Sequence, residues 1–389
     1  MLTQIRNIRI VIYLALLAVL PTIAIWFPFF MRFKEVLGIP IPEGGMQVIA
    51  GNYDGPLYIV VAKSLYNLDY ISKNFSFPLP LEYYAAHFPL YPLVIRFFSL
   101  AIGYPWGMLL ASIAGSLLAI FYFYFFIKQF ASRGESLWLT AVFAIFPARW
   151  LIVRSVGSPE PLFVGAILAS IYHIGKKQYL LAALWGVVAQ LTKSPGILLF
   201  IGYVLVLIAP KISELVTNHD LVKWVKNFEY KSYPILLIPL SLIILFYVYS
   251  LKFGNFFAYF NSGDNIHLFF PPFQIFNYSQ TWVNTHWLEE IILIYLIGLI
   301  SLSRLFKQKH SIPAWFSLVF MSTIFFVSHR DVMRYSLPIL PFIILAFKKE
   351  LISREFKIIM LILIVPIYLF SLAFISNNVM PISDWGPLL

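Results

Sequence analysis

Long apolar runs separated by short polar segments extend over almost the whole sequence. An α-helix needs about 20 apolar residues to cross a bilayer, with a range of about 17–25. The pattern therefore predicts an all-α, polytopic membrane protein of about 11 transmembrane helices. The runs at 178–191, 196–209 and 335–347 are short enough to be tilted, kinked or re-entrant. The full set lies at 8–30, 106–127, 136–153, 159–175, 178–191, 196–209, 233–250, 288–303, 312–328, 335–347 and 356–375.

Two of the segments between the apolar runs are much longer than the others, and both are rich in aromatic residues. With the N-terminus on the inner side, residues 31–105 and residues 252–287 both fall outside. In the first segment, the pieces 57–65 and 91–102 are apolar with a polar edge, which is typical of helices that lie in the membrane interface. We therefore predict one integral-membrane domain over residues 1–389, with interfacial helices in a long first outer loop and with a second long outer loop.

The composition excludes a water-soluble protein. Ala, Val, Ile, Leu, Met, Phe, Trp, Tyr and Cys make up 60% of the 389 residues, whereas charged residues make up 12%. A soluble domain contains about 25% charged residues. Since the sequence contains no cysteine, disulfides, thiolate nucleophiles and thiolate metal sites are excluded as well.

The net charge of +11 follows from the predicted topology. Of the 28 Lys and Arg residues, 17 fall in predicted inner segments, together with six of the 17 Asp and Glu residues. The inner side therefore carries the whole excess, and the outer side is balanced at 11 of each sign. Because basic residues in short inner loops orient membrane helices, the charge indicates orientation, and we predict no nucleic-acid partner.

The densest polar cluster is Gly-Asn-Tyr-Asp-Gly-Pro-Leu-Tyr at 51–58, just outside the first predicted helix. Two compatible interpretations apply to Asp54. An aspartate before Gly-Pro is a common N-cap, whose side-chain oxygen accepts from the first free N–H groups of a helix. A carboxylate at this place could also act as a general base toward an acceptor hydroxyl, and a cap would fix its position.

A second cluster, at 82–92, contains His87 followed by Phe-Pro-Leu-Tyr-Pro. A lone histidine is more often a hydrogen-bonded structural residue than a catalyst. The proline-rich string after it is also consistent with a simple transition from loop to helix. Neither cluster identifies a reaction by itself.

Taken together, the stretches Tyr-Asp-Gly-Pro-Leu-Tyr-Ile at 53–59 and His-Phe-Pro-Leu-Tyr-Pro-Leu-Val-Ile-Arg at 87–96 resemble a family signature. The family is the PIG-V-type mannosyltransferases and their prokaryotic relatives, in the GT-C class of polyprenyl-phosphate-sugar-dependent glycosyltransferases. Three weaker matches follow in the family's order, at 158–163, 191–196 and 334–338. Tyr53 stands where the family usually has Trp, and Lys193 replaces an Arg, which keeps the charge and loses a bidentate phosphate contact.

The resemblance implies a GT-C-like fold and transfer of a sugar, with dolichyl-phosphate mannose as the family's donor. It implies that Asp54 deprotonates the acceptor hydroxyl, which attacks the anomeric carbon with inversion. Binding of the substrate and of the donor phosphate is assigned to residues in or near the matching motifs, namely His87, Arg154, Glu160, Lys193, Arg330, Arg334 and Tyr335.

The predicted topology supports this set independently, since it used only helix number and loop charge. Arg330 and Arg334 are four residues apart, so a helix would place them on one face. With Lys193 they could hold a lipid-linked phosphate, although basic residues at a membrane edge also bind lipid head groups without specificity. The ionisable residues on the outer side near helix ends are Asp54, His87, Arg149, Arg154, Glu160, Lys193, Arg330, Asp331 and Arg334.

The predicted partners are a polyprenyl-phosphate sugar donor, a glycolipid or glycan acceptor and the lipid bilayer. We find no Gly-rich phosphate loop before a helix, as expected for a donor that carries its own leaving group. A divalent metal is left open, because Asp54, His87, Glu160 and Asp331 could supply ligands while no spacing demands one.

The expected location is the plasma membrane of a prokaryote or the endoplasmic reticulum of a eukaryote, with the active site on the outer or lumenal side. The alternative is a transporter or flippase of lipid-linked sugars. Such proteins often contain repeated halves with broken helices, and the sequence shows no repeat.

Overall fold

A computed structural model describes residues 2–218, 229–263, 267–277 and 288–389. Three stretches of predicted loop therefore lie outside the described residues: 219–228 on the predicted inner side, and 264–266 and 278–287 in the second long outer segment. Within the described residues the chain is mostly helical. Its sheet structure there consists of one antiparallel hairpin, β1 (Glu35–Val36) and β2 (Ile39–Pro40).

Long helices form the body of the molecule, and short helices lie mainly in the segment after the first helix and in the stretch before the last one. The N-terminal half contains α1 (Leu2–Phe30), α2 (Met46–Ala50), α3 (Gly55–Ser64), α4 (Leu68–Asn74), α5 (Leu90–Ile102), α6 (Tyr104–Ile127), α7 (Arg133–Ile145), α8 (Ala148–Ser155), α9 (Glu160–Gly175) and α10 (Tyr179–Thr192). The remainder contains α11 (Ile197–Asn218), α12 (Leu237–Phe253), α13 (Glu289–Lys307), α14 (Ser311–Ile324), α15 (Val332–Ser336), α16 (Leu340–Ala346), α17 (Lys348–Leu351) and α18 (Arg354–Asn377).

Short 3₁₀-helices connect or extend these elements. They cover Leu81–Ala86, Ser194–Gly196, Tyr230–Leu236, Ala258–Asn261, Gln274–Phe276, Leu337–Ile339 and Gly386–Leu388. The segment Tyr230–Leu236 continues directly into α12, and Leu337–Ile339 joins α15 to α16.

The helices agree with an integral membrane protein. Among the described residues, four are long and apolar enough to cross a membrane: Ile8–Phe30, Tyr104–Ile127, Tyr230–Phe253 and Arg354–Asn377. Each of the remaining predicted apolar runs lies largely within a helix or a pair of helices. The number of spans stays a prediction.

One predicted span is broken. The run at 136–153 forms α7 and α8, which are bent by 70° relative to each other. Phe146, between them, adopts an extended conformation (φ −121°, ψ 137°) because the ring of Pro147 disfavours the helical region for the residue before it. The sequence pattern predicted one continuous helix here, and that prediction was wrong because the length of an apolar run does not register a proline.

The first long outer segment supplies both a buried and an exposed helix. In α3, every residue except Lys63 is buried. In α5, Leu93, Phe97 and Leu100 form an exposed apolar face, whereas Tyr91 and Ile95 face the protein. The exposed face of α5 has the character of a helix at a membrane interface.

Close contact between α6 and α9 fixes the start of α9. A Cβ atom on Gly115 of α6 would lie 2.5 Å from the backbone nitrogen of Leu162, so no larger residue fits without moving a helix. Small residues allow such backbone approach between membrane helices. As a result, Glu160 at the beginning of α9 has a defined position against α6.

The C-terminal segment holds the loop that leads into α3. The Asn52 side-chain amide donates to the carbonyl oxygens of Val48 and Ile375, both at 2.9 Å. The Met380 backbone N–H donates to the Gly51 carbonyl at 2.8 Å. Residues 51–54 are therefore attached to the end of α18, more than 300 residues away along the chain.

Candidate active site

A cavity of about 950 Å³ lies among the ends of several helices. Its wall includes the residues before α3, the loop before α5, the start of α8 and the turn after α10. On the other side it is closed by α13, by α15 with the residues before it, and by the end of α18. Charged side chains and apolar rings share the lining, so the cavity suits a ligand with a charged and an apolar part.

Glu160 lies beneath this cavity and joins two cations. Its Oε1 atom is 2.7 Å from the Lys193 ammonium and 2.6 Å from Nε of Arg334. Its other carboxylate oxygen accepts from the Ser158 hydroxyl. The Glu160 side chain is 2% exposed, and a carboxylate this deeply buried requires such partners to offset its lost hydration.

Asp54 occupies the N-cap position of α3, but its side chain accepts no capping hydrogen bond. Its carboxylate is 36% exposed and its Oδ2 lies 3.9 Å from Nη2 of Arg334. Of the two sequence-based interpretations, the cap is therefore not formed. The carboxylate is available to a molecule in the cavity, which it lines.

A second network lies next to the first. Arg149 of α8 pairs with Asp331, with 3.0 Å between Nε and Oδ1. Asp331 also caps α15 by accepting from the Arg334 backbone N–H. The Tyr53 hydroxyl connects the pair, because it accepts from Arg149 at 3.1 Å and donates to Asp331 at 3.2 Å.

His87 lines the cavity with its ring packed against aromatic neighbours. The Tyr58 ring meets it edge-on at 4.7 Å between centroids. Burial lowers the pKa of His87, which favours the neutral imidazole. His87 can therefore hydrogen-bond a sugar hydroxyl or a phosphate oxygen through a neutral ring.

Lys193 follows the end of α10 and reaches into the same space. Burial lowers the pKa of its ammonium group, while the nearby Glu160 carboxylate opposes that effect. Its Nζ lies 5.9 Å from the centre of the Tyr335 ring. Lys193 and Tyr335 therefore lie in the same part of the cavity wall.

Arg330 and Arg334 both line the cavity, but they do not lie on the same helix. The helix begins at Val332 after the Asp331 cap, so Arg330 lies in the preceding turn. Arg330 is exposed and Arg334 is fixed by Glu160. The two arginines thus differ in freedom despite their spacing of four.

The structure does not bring Arg154 to the cavity. Its buried guanidinium donates to the carbonyl oxygens of Leu17, Ala18 and Ala144, which fastens α8 to α1 and α7. Arg154 therefore does not lie where the prediction that it binds the donor phosphate requires. Helix α8 turns the side chain at 154 away from the face that carries Arg149.

Sequence reasoning missed two histidines in the cavity wall. The rings of His267 and His329 are 4.4 Å apart between centroids. Burial and the neighbouring His267, Arg334 and Arg330 lower the pKa of His329 to about 3. His329 directly precedes Arg330, and this position next to a predicted site residue is the sequence feature that could have identified it. For His267 the sequence offered none.

The charges of the site are balanced. Among the described residues, the wall carries Arg149, Lys193, Arg330 and Arg334 against Asp54, Glu290 and Asp331. Glu160 beneath the wall supplies the fourth negative charge. No group of three or more His, Asp or Glu residues in the described part of the chain is arranged to hold a metal ion.

Similar folds occur in two crystal structures of ArnT from Cupriavidus metallidurans. The structure bound to undecaprenyl phosphate aligns with 90% of this chain and 63% of that chain, at 13% identity and a TM-score of 0.55. The apo structure aligns with 90% and 62%, at 14% identity and a TM-score of 0.54. The chain thus spans less than two thirds of ArnT, and the likeness confirms the GT-C-like fold. No family model and no curated protein matches the sequence.

Proposed function

We propose that the protein is a membrane glycosyltransferase of the PIG-V type. It transfers a sugar, with mannose as the first candidate, from a polyprenyl-phosphate donor to a hydroxyl group of a glycolipid or glycan. The observation that carries this proposal is the meeting of Asp54, Lys193 and Arg334 in one cavity, although they are distant in sequence. A transferase for an anionic donor needs a base and fixed cations in one space.

In this proposal Asp54 is the general base. Its carboxylate faces the cavity without a capping hydrogen bond, so its lone pairs are available to an acceptor hydroxyl. As the acceptor oxygen forms a bond to the anomeric carbon, the bond from that carbon to the phosphate oxygen breaks with inversion. The acceptor proton passes to Asp54, and polyprenyl phosphate leaves with the bonding electrons.

Lys193, Arg330 and Arg334 stabilise the phosphate as its negative charge grows. Preorganised cations act most strongly where charge develops in the transition state. Glu160 holds Lys193 and Arg334 in place before the donor binds, so that little reorganisation is needed. Arg330 is exposed and can move toward the phosphate.

Two further observations support the donor and the sugar. ArnT, whose fold the chain shares, was crystallised with undecaprenyl phosphate, which makes a polyprenyl phosphate the proposed lipid. The stretches at 53–59 and 87–96 resemble the signature of PIG-V-type enzymes, which makes mannose the proposed sugar. By the topology that the loop charges predict, the reaction takes place on the outer face of a plasma membrane or the lumenal face of the endoplasmic reticulum.

The test uses purified protein in liposomes with radiolabelled polyprenyl-phosphate mannose and a mixture of membrane glycolipids as acceptors. We expect the wild type to release polyprenyl phosphate and label the glycolipid fraction. Asp54→Asn and Asp54→Ala should reduce transfer by about 100-fold or more, since a general base contributes about 10²–10⁴-fold.

Asp69→Asn is the matched control, because Asp69 is an exposed carboxylate of α4 outside the cavity and should leave transfer unchanged. Transfer at the wild-type rate by Asp54→Asn would exclude Asp54 as the base. Movement of intact donor between leaflets without release of polyprenyl phosphate would instead indicate a flippase.

A further inference from the structure

Tyr53 has a strained backbone next to the proposed base. Its φ angle is +48°, in the left-handed region that side chains with a Cβ atom rarely occupy. A bulky residue keeps this conformation only where its surroundings determine it. For Tyr53, those surroundings are the charged residues of the candidate active site.

The side chain of Tyr53 is held on several sides. Its hydroxyl accepts from Arg149 at 3.1 Å and donates to Asp331 at 3.2 Å. The Arg334 guanidinium lies 4.2 Å from the centre of its ring, and the Phe374 ring lies at 5.8 Å. One side chain thus connects the loop before α3 to α8, α15 and α18.

The chain is fixed on either side of Tyr53 and Asp54. Asn52 is anchored to Val48 and Ile375, and its side chain is fully buried. A Cβ atom on Gly55 would lie 3.0 Å from the Ala50 carbonyl oxygen, so that residue is tightly enclosed as well. Between these fixed points, the orientation of residues 53 and 54 depends on what the Tyr53 side chain contacts.

We propose that Tyr53 is a positioning residue for Asp54. Its hydroxyl, bound to the Arg149–Asp331 pair, maintains the left-handed backbone that directs the Asp54 carboxylate into the cavity. This inference rests on the proposed function, in which Asp54 is the base. A tyrosine hydroxyl can fill this place because it accepts one hydrogen bond, from Arg149, and donates another, to Asp331.

The first test compares steady-state kinetics of the wild type and Tyr53→Phe. Phenylalanine keeps the ring over Arg334 and removes the hydroxyl. We expect kcat to fall about 10- to 100-fold, because a misplacement of about 1 Å can cost about 100-fold. The KM for the donor should change less than about twofold, since the phosphate-binding cations keep their places.

Tyr203→Phe is the matched control. The Tyr203 hydroxyl is buried and hydrogen-bonded to Ser170 at 2.6 Å, away from the cavity. Like Tyr53→Phe, this variant removes a hydrogen-bonded tyrosine hydroxyl, but its kcat should stay at the wild-type value. A wild-type kcat in Tyr53→Phe would overturn the positioning role.

A second test needs no catalysis. The chain contains no cysteine, so Asp54→Cys introduces a single thiol. We expect its reaction rate with a small sulfonated methanethiosulfonate to fall when Tyr53→Phe is added, because the thiol then leaves the Arg334 cation, which stabilises the thiolate and attracts the anionic reagent. Equal rates with and without Tyr53→Phe would contradict the proposal.

The outcomes separate this inference from the function on which it rests. Inactive Asp54→Asn with fully active Tyr53→Phe leaves the proposed function standing and removes the role of Tyr53. Active Asp54→Asn removes the base itself. If Tyr53→Phe does not fold, Asp331→Asn replaces it. Asparagine keeps an oxygen for the cap of α15, while its NH₂ group replaces the carboxylate oxygen that accepts from the Tyr53 hydroxyl. A wild-type kcat in that variant also overturns the proposal.

Discussion

Glu160 illustrates how a residue in a matched motif can act through others. The motif matches grouped it with residues that bind the donor phosphate, yet a carboxylate repels a phosphate. In the structure it lies below the cavity and pairs with Lys193 and Arg334. We therefore assign it the task of holding the cations, which the phosphate itself would contact.

Replacing Glu160 by Gln should expose this dependence. The variant leaves two largely buried cations without their shared partner, and removing one partner of a buried pair costs about 3–5 kcal/mol. We expect a loss near the lower end of that range, because Arg334 keeps Asp54 at 3.9 Å. Thermal unfolding in detergent gives the measurement.

The double variant Glu160→Gln with Lys193→Met is the control for charge. It removes one of the unpaired cations, so it should unfold at a higher temperature than Glu160→Gln alone while remaining deficient in sugar transfer. If Glu160→Gln is as stable as the wild type, the buried pairs do not contribute as we infer.

At the level of helices, the contact between α6 and α9 determines where Glu160 lies. Gly115 of α6 faces Leu162 of α9, two residues after Glu160. The break between α7 and α8 has a comparable effect, since α8 leaves the direction of α7 by 70° and brings Arg149 to the cavity. Through both features, the packing of helices determines where charged residues of the candidate active site lie.

Gly115→Ala should therefore affect both stability and transfer. Its methyl group would meet the Leu162 backbone at 2.5 Å, and overpacking of this kind costs about 1–3 kcal/mol. Displacement of α9 would also move Glu160 away from Lys193 and Arg334. Unfolding temperature and transfer rate, measured on one preparation, test both effects.

The same substitution at Gly134 provides the comparison. Gly134 is exposed in the first turn of α7, and a methyl group added there would have no atom within 4 Å. Gly134→Ala should keep wild-type transfer and gain up to about 1 kcal/mol from helix propensity. Equal behaviour of the two alanine variants would contradict a special role of the α6–α9 contact.

Across the whole molecule, charged residues make contacts in two places, one at predicted outer segments and one at predicted inner segments. The predicted outer residues Asp54, Lys193 and Arg334 meet in the cavity. At predicted inner segments, Arg304 pairs with Glu350 at 2.5 Å, and Lys348 donates to the Phe130 carbonyl at 2.6 Å. These two groups of contacts join residues that the alternating topology assigns to the same side. The orientation in a membrane stays a prediction.

Single cysteines can test that orientation in a chain that has none of its own. Lys73 and Lys349 are both exposed and lie on opposite predicted sides. In intact cells, a membrane-impermeant maleimide should label Lys73→Cys, and it should label Lys349→Cys only after permeabilisation. The reverse pattern would place the cavity on the inner side.

The sequence by itself determined the helical membrane architecture, because helix length and apolar content are local properties of the chain. It also singled out Asp54, Lys193, Arg334 and Glu160 through motif matches that stand in order along the chain. The prediction of one helix at 136–153 failed at Pro147, since a proline breaks a helix without interrupting an apolar run.

The tertiary structure decided which of these residues act together. Glu160 meets Lys193 and Arg334 across 33 and 174 positions, and the Tyr53 hydroxyl meets Asp331 across 278. Arg154, equally prominent in the sequence, turns into the protein instead. Helix packing and chain turns determine such partners, and these arise from contacts between segments far apart in sequence, which no local pattern records.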